Sequence, residues 1–403
     1  MTRYGRSPWV AEFPRSRVPS YPRHRGPLEV EAVVVGGGLT GCATAYAFAA
    51  HGIGVALVEA LQVGGGSTGG AIGWIGDDPG VSYAALERAR GRRVARQAFQ
   101  TWRRAALDFA ALVRRLDLKC RLESRATVLV ATTPEQALSL VRDRKARVAA
   151  DLEAPLLNAR ALSAETALAG LAAVRTRDGA TIDPYRACLG LATAARARGA
   201  AIYEKSPVAK IRFNRKIAEV QTPGGSIRTR RVIVATGIPR PLFKPLARHF
   251  WFERSYLALT AALPARTRQR LGARAAVVRD LASPPHVIRW VDDRLLVAGA
   301  DLPSPPERLR EKTLVQRTGQ LMYELSVLYP EISGVAPAYG WDLAWARTAD
   351  GLPFIGAHRN YPHHLFAFGD SSRTVTGAYL ASRLFLRQHL GELDPADRIF
   401  EFR

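Results

Sequence analysis

Three closely spaced glycines near residue 40 have the spacing of a phosphate-binding turn. They form the pattern Gly36-x-Gly38-x-x-Gly41, between a Val-rich stretch that predicts a buried strand and an Ala-rich stretch that predicts a helix. The second glycine lets a pyrophosphate approach the backbone, and the third lets the helix pack closely on the strand. Glu59 lies 18 residues after Gly41, at the end of the next predicted strand, where a carboxylate accepts hydrogen bonds from an adenosine ribose. The sequence therefore predicts a dinucleotide site. We assign to this site Gly36, Gly38, Leu39, Thr40, Gly41, Glu59 and Ala60.

Three further segments favour FAD over NAD. A Gly-rich stretch over 64–80 offers hydroxyl and backbone groups to a diphosphate or ribityl chain, although a mobile loop without a ligand is the alternative. The predicted strand over 232–237 ends in a turn of small residues, and the predicted strand that ends near 368 leads into a polar loop before the last helix. Segments so far apart in the chain suit one long cofactor, which is FAD. The additional FAD-binding residues that we predict are Ser67, Thr68, Ala235, Thr236, Gly237, Gly369, Asp370, Ser372 and Thr374.

The order of these motifs resembles a known family. A Pro/Tyr arm (19–22), the glycine turn, an Ile-Asp-Pro helix entry (182–184) and a late Asp-x-x-Pro-x-Ile-Gly signature within 348–356 follow one another. In this order they are similar to the FAD-dependent amino acid and amine oxidases, the group of D-amino-acid oxidase, glycine oxidase and sarcosine oxidase, and above all to its bacterial γ-glutamylputrescine oxidase-like members. The resemblance covers nearly the whole chain. It implies that the backbone of Val208 contacts adenine, and that FAD is noncovalent, because the family's covalent-flavin cysteine has no counterpart after Cys188.

The resemblance also implies a reaction. A flavin of this family takes a hydride from the carbon next to an amine nitrogen, and water hydrolyses the resulting imine. Arg289 is similar in place to a cation that the family carries facing the flavin, and a solvent-facing strand arginine is the alternative. Tyr256 is expected to close the substrate pocket or to be a core aromatic of its strand. Trp345 stands where relatives place a carboxylate-binding arginine, so Arg347 is its candidate substitute, and Arg373 brings a charge to the flavin side. We predict catalytic roles for Arg289, Tyr256, Arg347 and Arg373.

The net charge leaves two other functions open. The chain has 58 basic and 35 acidic residues, which gives a net charge of +23. Such a field speeds docking of acidic partners, so a flavin dehydrogenase that passes electrons to a protein or quinone is one alternative. A non-catalytic flavoprotein or a basic scaffold that binds nucleic acid is the other. Because the arginines are spread along the chain rather than gathered in one tail, we do not expect nucleic acid as a partner. The family resemblance instead implies a small amine or amino acid as substrate, with oxygen or another electron acceptor.

Composition excludes several other classes of protein. With 47% apolar and 23% charged residues, the chain is neither disordered nor fibrous. No run of 18 apolar residues predicts a membrane span, and no apolar stretch near the N-terminus predicts a secretion signal. The three cysteines are too far apart in the sequence for a metal site or a disulfide framework, and His363 and His364 point apart in an extended chain. We therefore expect a cytoplasmic protein without a bound metal.

The predicted elements define an α/β fold. It comprises a Rossmann-like FAD-binding domain that is discontinuous in sequence and a substrate domain with a mainly antiparallel sheet and helices, because the strands over 255–299 are joined by short turns. The expected divisions are an extended arm over 1–27, an FAD-binding domain of 28–80, 165–245 and 345–403, and a substrate domain of 81–164 and 246–344.

Overall fold

The computed structural model describes residues 1–239, 241–271, 276–369 and 374–403. Its helices are α1 (Pro8–Ala11), α2 (Leu39–Ala50), α3 (Ser67–Gly70), α4 (Tyr83–Arg90), α5 (Arg92–Arg115), α6 (Pro134–Ala149), α7 (Ala159–Thr166), α8 (Pro184–Arg196), α9 (Ala265–Arg270), α10 (Arg310–Leu328) and α11 (Thr376–Leu390). Its strands are β1 (Arg3–Tyr4), β2 (Leu28–Val35), β3 (Val55–Val58), β4 (Trp74–Ile75), β5 (Glu123–Ser124), β6 (Ala126–Ala131), β7 (Leu156–Leu157), β8 (Ala172–Thr176), β9 (Ala180–Thr181), β10 (Ala201–Tyr203), β11 (Lys210–Phe213), β12 (Ala218–Thr222), β13 (Gly225–Gly237), β14 (Trp251–Thr260), β15 (Ala276–Asp280), β16 (Val287–Val291), β17 (Arg294–Pro303), β18 (Pro337–Arg347), β19 (Phe354–His358) and β20 (Tyr361–Phe368).

The first large sheet contains the glycine turn. Strands β10, β3, β2, β13 and β20 run parallel in that spatial order, and the antiparallel strands β12, β11 and β19 complete the sheet. The Val- and Ala-rich centre of β2 is buried because helices α2, α8 and α11 cover one face of the sheet and an aromatic cluster covers the other. The strands come from three separate parts of the chain, as the prediction of a discontinuous nucleotide-binding fold requires.

The second large sheet is mainly antiparallel, as predicted. Its order is β1-β18-β14-β17-β16-β15-β6-β8-β7, and its parallel pairs are β1 with β18 and β15 with β6. The β16–β17 hairpin turns at Asp292 and Asp293, where Asp292 adopts a φ of +53°. Residues alternate along β14, so that Leu257 and Leu259 face the main core while Tyr256 and Ala258 face a second core under α10.

Several elements differ from the prediction. The stretch 83–116, whose apolar residues recur every three or four positions, forms two helices, α4 and α5, because Gly91 with a φ of +83° separates them. Strand β8 belongs to the second sheet although we placed 165–245 in the first domain, and β18 was not predicted as a full strand. The division into an FAD-binding and a substrate domain stays a proposal.

The N-terminal arm is not wholly extended over the surface. It forms β1 and α1, and the side chains of Trp9, Tyr21 and His24 are buried. Strand β1 adds to the edge of β18, and Ser7 caps α1 by accepting a hydrogen bond from the amide of Val10. The arm is therefore a packed part of the fold. None of the helices in the described part of the chain has the length and apolar character needed to span a membrane.

Candidate functional site

The glycine turn joins the end of β2 to the start of α2. Gly36 has a φ of +108°, and a Cβ atom there would lie 2.7 Å from the carbonyl oxygen of Ala235. A Cβ atom on Gly41 would collide with the Gly36 carbonyl oxygen and lie 3.3 Å from Cγ1 of Val34. Gly38 is the N-cap of α2 and has no capping side chain. The turn therefore presents bare backbone and a helix N-terminus, which is the arrangement that binds a phosphate.

Glu59 lies at one end of this turn. Its Oε2 accepts a hydrogen bond of 2.6 Å from the Gly37 amide, and its Oε1 accepts one of 2.8 Å from the Leu61 amide. The segment after β10 runs alongside, since the amide of Ser206 donates to the Glu59 carbonyl at 2.8 Å. This segment leads to the partly buried Val208. Glu59, its neighbour Ala60 and Val208 are thus grouped at the end of the site that we predict for adenosine.

The Gly-rich segment after β3 folds over the start of α2. Oγ1 of Thr68 accepts a hydrogen bond of 2.8 Å from the amide of Leu39, and a Cβ atom on Gly38 would lie 3.1 Å from the same oxygen. Oγ of Ser67 would lie 4.0 Å from a Cβ atom on Gly237. Helix α3, which begins at Ser67, therefore packs against the glycine turn.

The far C-terminal segment reaches the same edge of the sheet. Because β2, β13 and β20 are parallel neighbours, their carboxyl ends lie side by side, and the amide of Gly369 is 3.5 Å from the carbonyl of Gly237. Thr374 accepts a hydrogen bond of 2.7 Å from the amide of Gly76 and donates one of 2.9 Å to the carbonyl of Trp74. Residues some 300 positions apart in the sequence are thus hydrogen bonded to each other. A single cofactor that contacts both segments would require the segments to lie this close together. Our predictions at Asp370, Ser372 and Arg373 lie outside the described residues.

Arg289 is a buried cation on β16 that contacts the residues flanking the short strands β4 and β9. Its Nη1 donates hydrogen bonds to the carbonyls of Gly73, at 2.5 Å, and Ile182, at 3.2 Å. No carboxylate in the described ranges lies within ion-pair distance of it, and Asp183 acts on it only at longer range. Burial lowers the pKa of Arg289 to about 10, so the guanidinium remains charged at neutral pH. The solvent-facing alternative is wrong, because Arg289 is 5% exposed.

The other two described candidates for catalysis lie elsewhere. Tyr256 is fully buried in the core under α10, in the same cluster as Leu321 and Leu325 of that helix, and its hydroxyl has no partner among the described atoms. This placement corresponds to the core alternative, and no contact here supports a pocket-closing role. Arg347 is exposed at the end of β18 and pairs with Glu253 at 3.1 Å. The structure therefore groups Arg289 with the Gly-rich segment and leaves Tyr256 and Arg347 apart from it.

Sequence reasoning missed several residues that hold the Gly-rich segment. The indole of Trp341 donates a hydrogen bond of 2.7 Å to the carbonyl of Gly70, and that of Trp9 donates one of 2.9 Å to the carbonyl of Ala71. Ser7 donates to the carbonyl of Gly69. No periodic signal marked the arm, and β18 was not recognised as a strand through Trp341, so neither tryptophan stood out.

Comparisons with known proteins agree with this geometry. The family model described as FAD dependent oxidoreductase (DAO) matches residues 31–387, and the chain belongs to that family. A curated protein, "Probable oxidoreductase OrdL" from Haemophilus influenzae, is 27% identical over 225 residues, which are 55% of this chain and 49% of that protein. The chain thus matches about half the length of this relative.

Solved structures share the fold. Glycine oxidase from Geobacillus kaustophilus superposes with a TM-score of 0.77 at 20% identity, covering 93% of this chain and 99% of its own. L-Amino acid deaminase from Proteus myxofaciens gives 0.77 at 16% identity, covering 100% and 99%. L-α-Glycerophosphate oxidase from Mycoplasma pneumoniae, in a structure with FAD bound, gives 0.70 at 17% identity, covering 93% and 95%. The predicted fold and family are confirmed, and FAD is the cofactor of the family.

The residues present fit FAD. The cradle at Gly36, Gly38 and Gly41 would be filled by any Cβ atom, and the start of α2 offers amide groups to a pyrophosphate. The Glu59 carboxylate is suited to accept hydrogen bonds from ribose hydroxyls. Arg289 supplies positive charge at Gly73, three residues before Gly76, where the far C-terminal segment contacts the Gly-rich segment. The glycine turn, Glu59 and Arg289 are therefore the residues that we assign to FAD in the proposal below.

Proposed function

We propose that this protein oxidises a C–N bond of a small amine or amino acid, with noncovalent FAD as the hydride acceptor. The imine product is then hydrolysed by water. Bound FAD supplies the redox chemistry, and the chain binds it, orients it and sets the charge around it. The observation that carries the proposal is Arg289, a buried guanidinium that no described carboxylate neutralises and that hydrogen bonds to the Gly-rich segment.

The role of Arg289 follows from electrostatics. A cation in a poorly solvated site stabilises negative charge that develops nearby, and two-electron reduction of a flavin creates such charge. The guanidinium cannot move to solvent without losing its hydrogen bonds to Gly73 and Ile182. Arg289 therefore favours the reduced cofactor throughout the reaction, whereas the substrate needs only to present its C–H bond to the flavin.

The remaining site residues hold the cofactor. Gly36, Gly38 and Gly41 with Thr68 surround the pyrophosphate, and Glu59 accepts hydrogen bonds from the adenosine ribose. We retain Gly369 and Thr374 for the flavin side, supported by the contacts of these residues with Gly237 and Gly76. Two of the three cysteines, Cys42 and Cys188, are buried beneath Gly37 at the glycine turn rather than on the flavin side, which supports noncovalent attachment.

The substrate class is supported by the structural relatives. Glycine oxidase and L-amino acid deaminase, by their names, act on amino acids. L-α-Glycerophosphate oxidase shares the same fold, so the fold alone does not select a C–N bond. We select it because the sequence signatures over 182–184 and 348–356 resemble those of the amine and amino acid oxidases.

Anaerobic reduction of the bound flavin tests the proposal. Purified protein would be mixed without oxygen with amines, N-methyl amino acids, D- and L-amino acids and, as a contrasting class, α-hydroxy compounds and glycerol phosphate. Bleaching at 450 nm by a nitrogen compound, with the imine-derived carbonyl product formed in equal amount, is the expected result. Bleaching by the oxygen compounds alone, or protein purified without any flavin, would contradict it.

Two variants sharpen the test. Arg289→Met should slow the anaerobic reduction at least tenfold, since one oriented charge is typically worth more than 1.4 kcal/mol of transition-state stabilisation. Arg228→Met removes an equivalent charge from an exposed position that faces Glu29 at 3.9 Å, and should leave the rate unchanged. Oxygen consumption with the substrate found would then separate an oxidase from a dehydrogenase that uses a protein or quinone acceptor.

A further inference from the structure

The first helix of the arm sits directly on the Gly-rich segment. Ser7, which caps α1, donates a hydrogen bond to the carbonyl of Gly69, and the indole nitrogen of Trp9 donates one of 2.9 Å to the carbonyl of Ala71. Gly69 is also tightly packed, because a Cβ atom there would lie 2.9 Å from Cγ2 of Val10. The arm thus fixes the backbone of the segment that leads to Gly73, the residue that accepts the hydrogen bond from Arg289.

The same tryptophan contacts Arg289. The guanidinium carbon lies 5.2 Å from the centroid of the Trp9 ring, within the range of a cation–π interaction, and Trp9 is 5% exposed. The cation is therefore held by a ring and by two carbonyl oxygens, those of Gly73 and Ile182. Since no described carboxylate pairs with it, these groups are the close contacts that offset its burial.

We propose that Trp9 is a positioning residue of the active site, which holds the Arg289 guanidinium against the Gly-rich segment and so sets the charge that acts on the flavin. The inference rests on the proposed function. The N-terminal arm would then be a working part of the site, and the reduction potential of bound FAD would depend on a side chain outside the two large sheets. Loss of the ring frees the guanidinium to swing away from Gly73, which weakens its stabilisation of the reduced flavin.

The arm offers a matched control. Phe13 is a second aromatic residue of the arm under an arginine: the Arg186 guanidinium lies 5.3 Å from its ring. Arg186 pairs with Asp183 at 3.1 Å, and in the described structure no hydrogen bond joins its guanidinium to the Gly-rich segment. Phe13→Leu therefore removes an arm aromatic and its cation–π contact without touching Arg289.

The test measures the midpoint potential of bound FAD by equilibration with reference dyes, in Trp9→Leu, Trp9→Phe, Phe13→Leu, Arg289→Met and the double variant Trp9→Leu/Arg289→Met. We expect Trp9→Leu to reduce the equilibrium constant for two-electron reduction about tenfold, which is about 30 mV. Trp9→Phe keeps a ring and should stay within threefold of the wild type, as should Phe13→Leu. In the Arg289→Met background, Trp9→Leu should cause no further shift, because its effect passes through the arginine.

The outcomes separate this inference from the proposed function. If Arg289→Met leaves the potential unchanged, the proposed role of Arg289 is wrong, and the Trp9 inference with it. Two results overturn only the Trp9 inference, in each case with Arg289→Met lowering the potential. In the first, Trp9→Leu leaves the potential unchanged. In the second, Trp9→Leu lowers the potential equally with and without Arg289. Should Trp9→Leu fail to fold, Trp9→Met also removes the ring while keeping an apolar side chain of greater length, and the same double-variant comparison applies.

Discussion

Replacing Gly41 by Ala is the most direct perturbation of the phosphate-binding turn. The new Cβ atom would collide with the carbonyl oxygen of Gly36 and lie 3.3 Å from Cγ1 of Val34. Overpacking in a buried site costs about 1–3 kcal/mol, and the upper end applies because the obstacle is a main-chain atom that cannot rotate away. Alanine returns about 1 kcal/mol of helix propensity in α2. The net loss in the free energy of unfolding is thus about 2 kcal/mol.

The same substitution should weaken FAD binding. The Gly36 carbonyl can make room only if the turn moves, and the amides at the start of α2 then lose their alignment with the pyrophosphate. Loss of one such hydrogen bond costs about 1–1.5 kcal/mol, which raises the dissociation constant roughly tenfold. Fluorescence titration of the apoprotein with FAD measures this constant, and urea unfolding measures the free energy of unfolding.

Gly319 supplies the control for this experiment. It lies on the exposed side of α10, and a Cβ atom there would meet no atom within 4 Å in the described structure. Gly319→Ala should leave FAD affinity unchanged and stabilise the protein by up to about 1 kcal/mol. If Gly41→Ala unfolds at the wild-type urea concentration and binds FAD as the wild type does, the assigned geometry of the turn is refuted.

Three further predictions concern the ribose site, the attachment of the flavin and the dependence of stability on pH. Glu59→Gln should weaken FAD binding by about 1–3 kcal/mol, measured by titration, because a charge-assisted hydrogen bond to the ribose is lost. Acid precipitation should release the yellow colour into the supernatant, because no covalent bond holds it. Although burial alone would lower the pKa of His286, hydrogen bonds of 2.6 Å to Asp280 and 2.8 Å to Glu324 raise it above its ordinary value. The free energy of unfolding should therefore fall as pH rises from about 6.5 through that raised pKa.

Each of these predictions has a contradicting result. Unchanged FAD affinity in Glu59→Gln would remove Glu59 from the ribose site, and colour that stays in the acid pellet would show covalent attachment. For the pH dependence, the matched variant is His286→Gln, which should be about 1–3 kcal/mol less stable than the wild type at pH 6 and lack its decline as pH rises above about 6.5. An identical decline in both proteins would assign the effect to other groups.

The parts of the site that follow local rules were predictable from the sequence. The glycine turn and Glu59 are read from one strand–helix–strand unit, and the structure places them together as expected. Their positions depend on local backbone geometry, which a short sequence specifies. The convergence of Gly369 and Gly237 was expected because segments so far apart suit one long cofactor, and in the structure the parallel neighbours β13 and β20 bring their carboxyl ends to one edge.

The parts that depend on tertiary packing were not predictable. Whether Arg289 faces solvent or the interior is decided by which face of β16 meets the Gly-rich segment, and alternation along a strand does not say which face that is. Likewise, the alternation of side chains along β14 does not say in advance that Tyr256 lies under α10. Trp9 lies in an arm without any periodicity, so only the docked structure shows what its ring contacts.

Ion pairing separates Arg289 from two other arginines that are buried or half-buried in this fold. Arg147 pairs with Asp143 at 2.8 Å and with Asp78 at 3.5 Å, and Arg279 pairs with Asp78 at 3.0 Å. Because an unpaired buried charge is costly, the chain provides carboxylates wherever these cations serve the fold alone. Arg289 is equally buried and has only carbonyl oxygens and a ring in close contact within the described structure. A buried cation that has no counter-charge among the described residues suits a partner that brings negative charge, and reduced flavin is the partner that we propose.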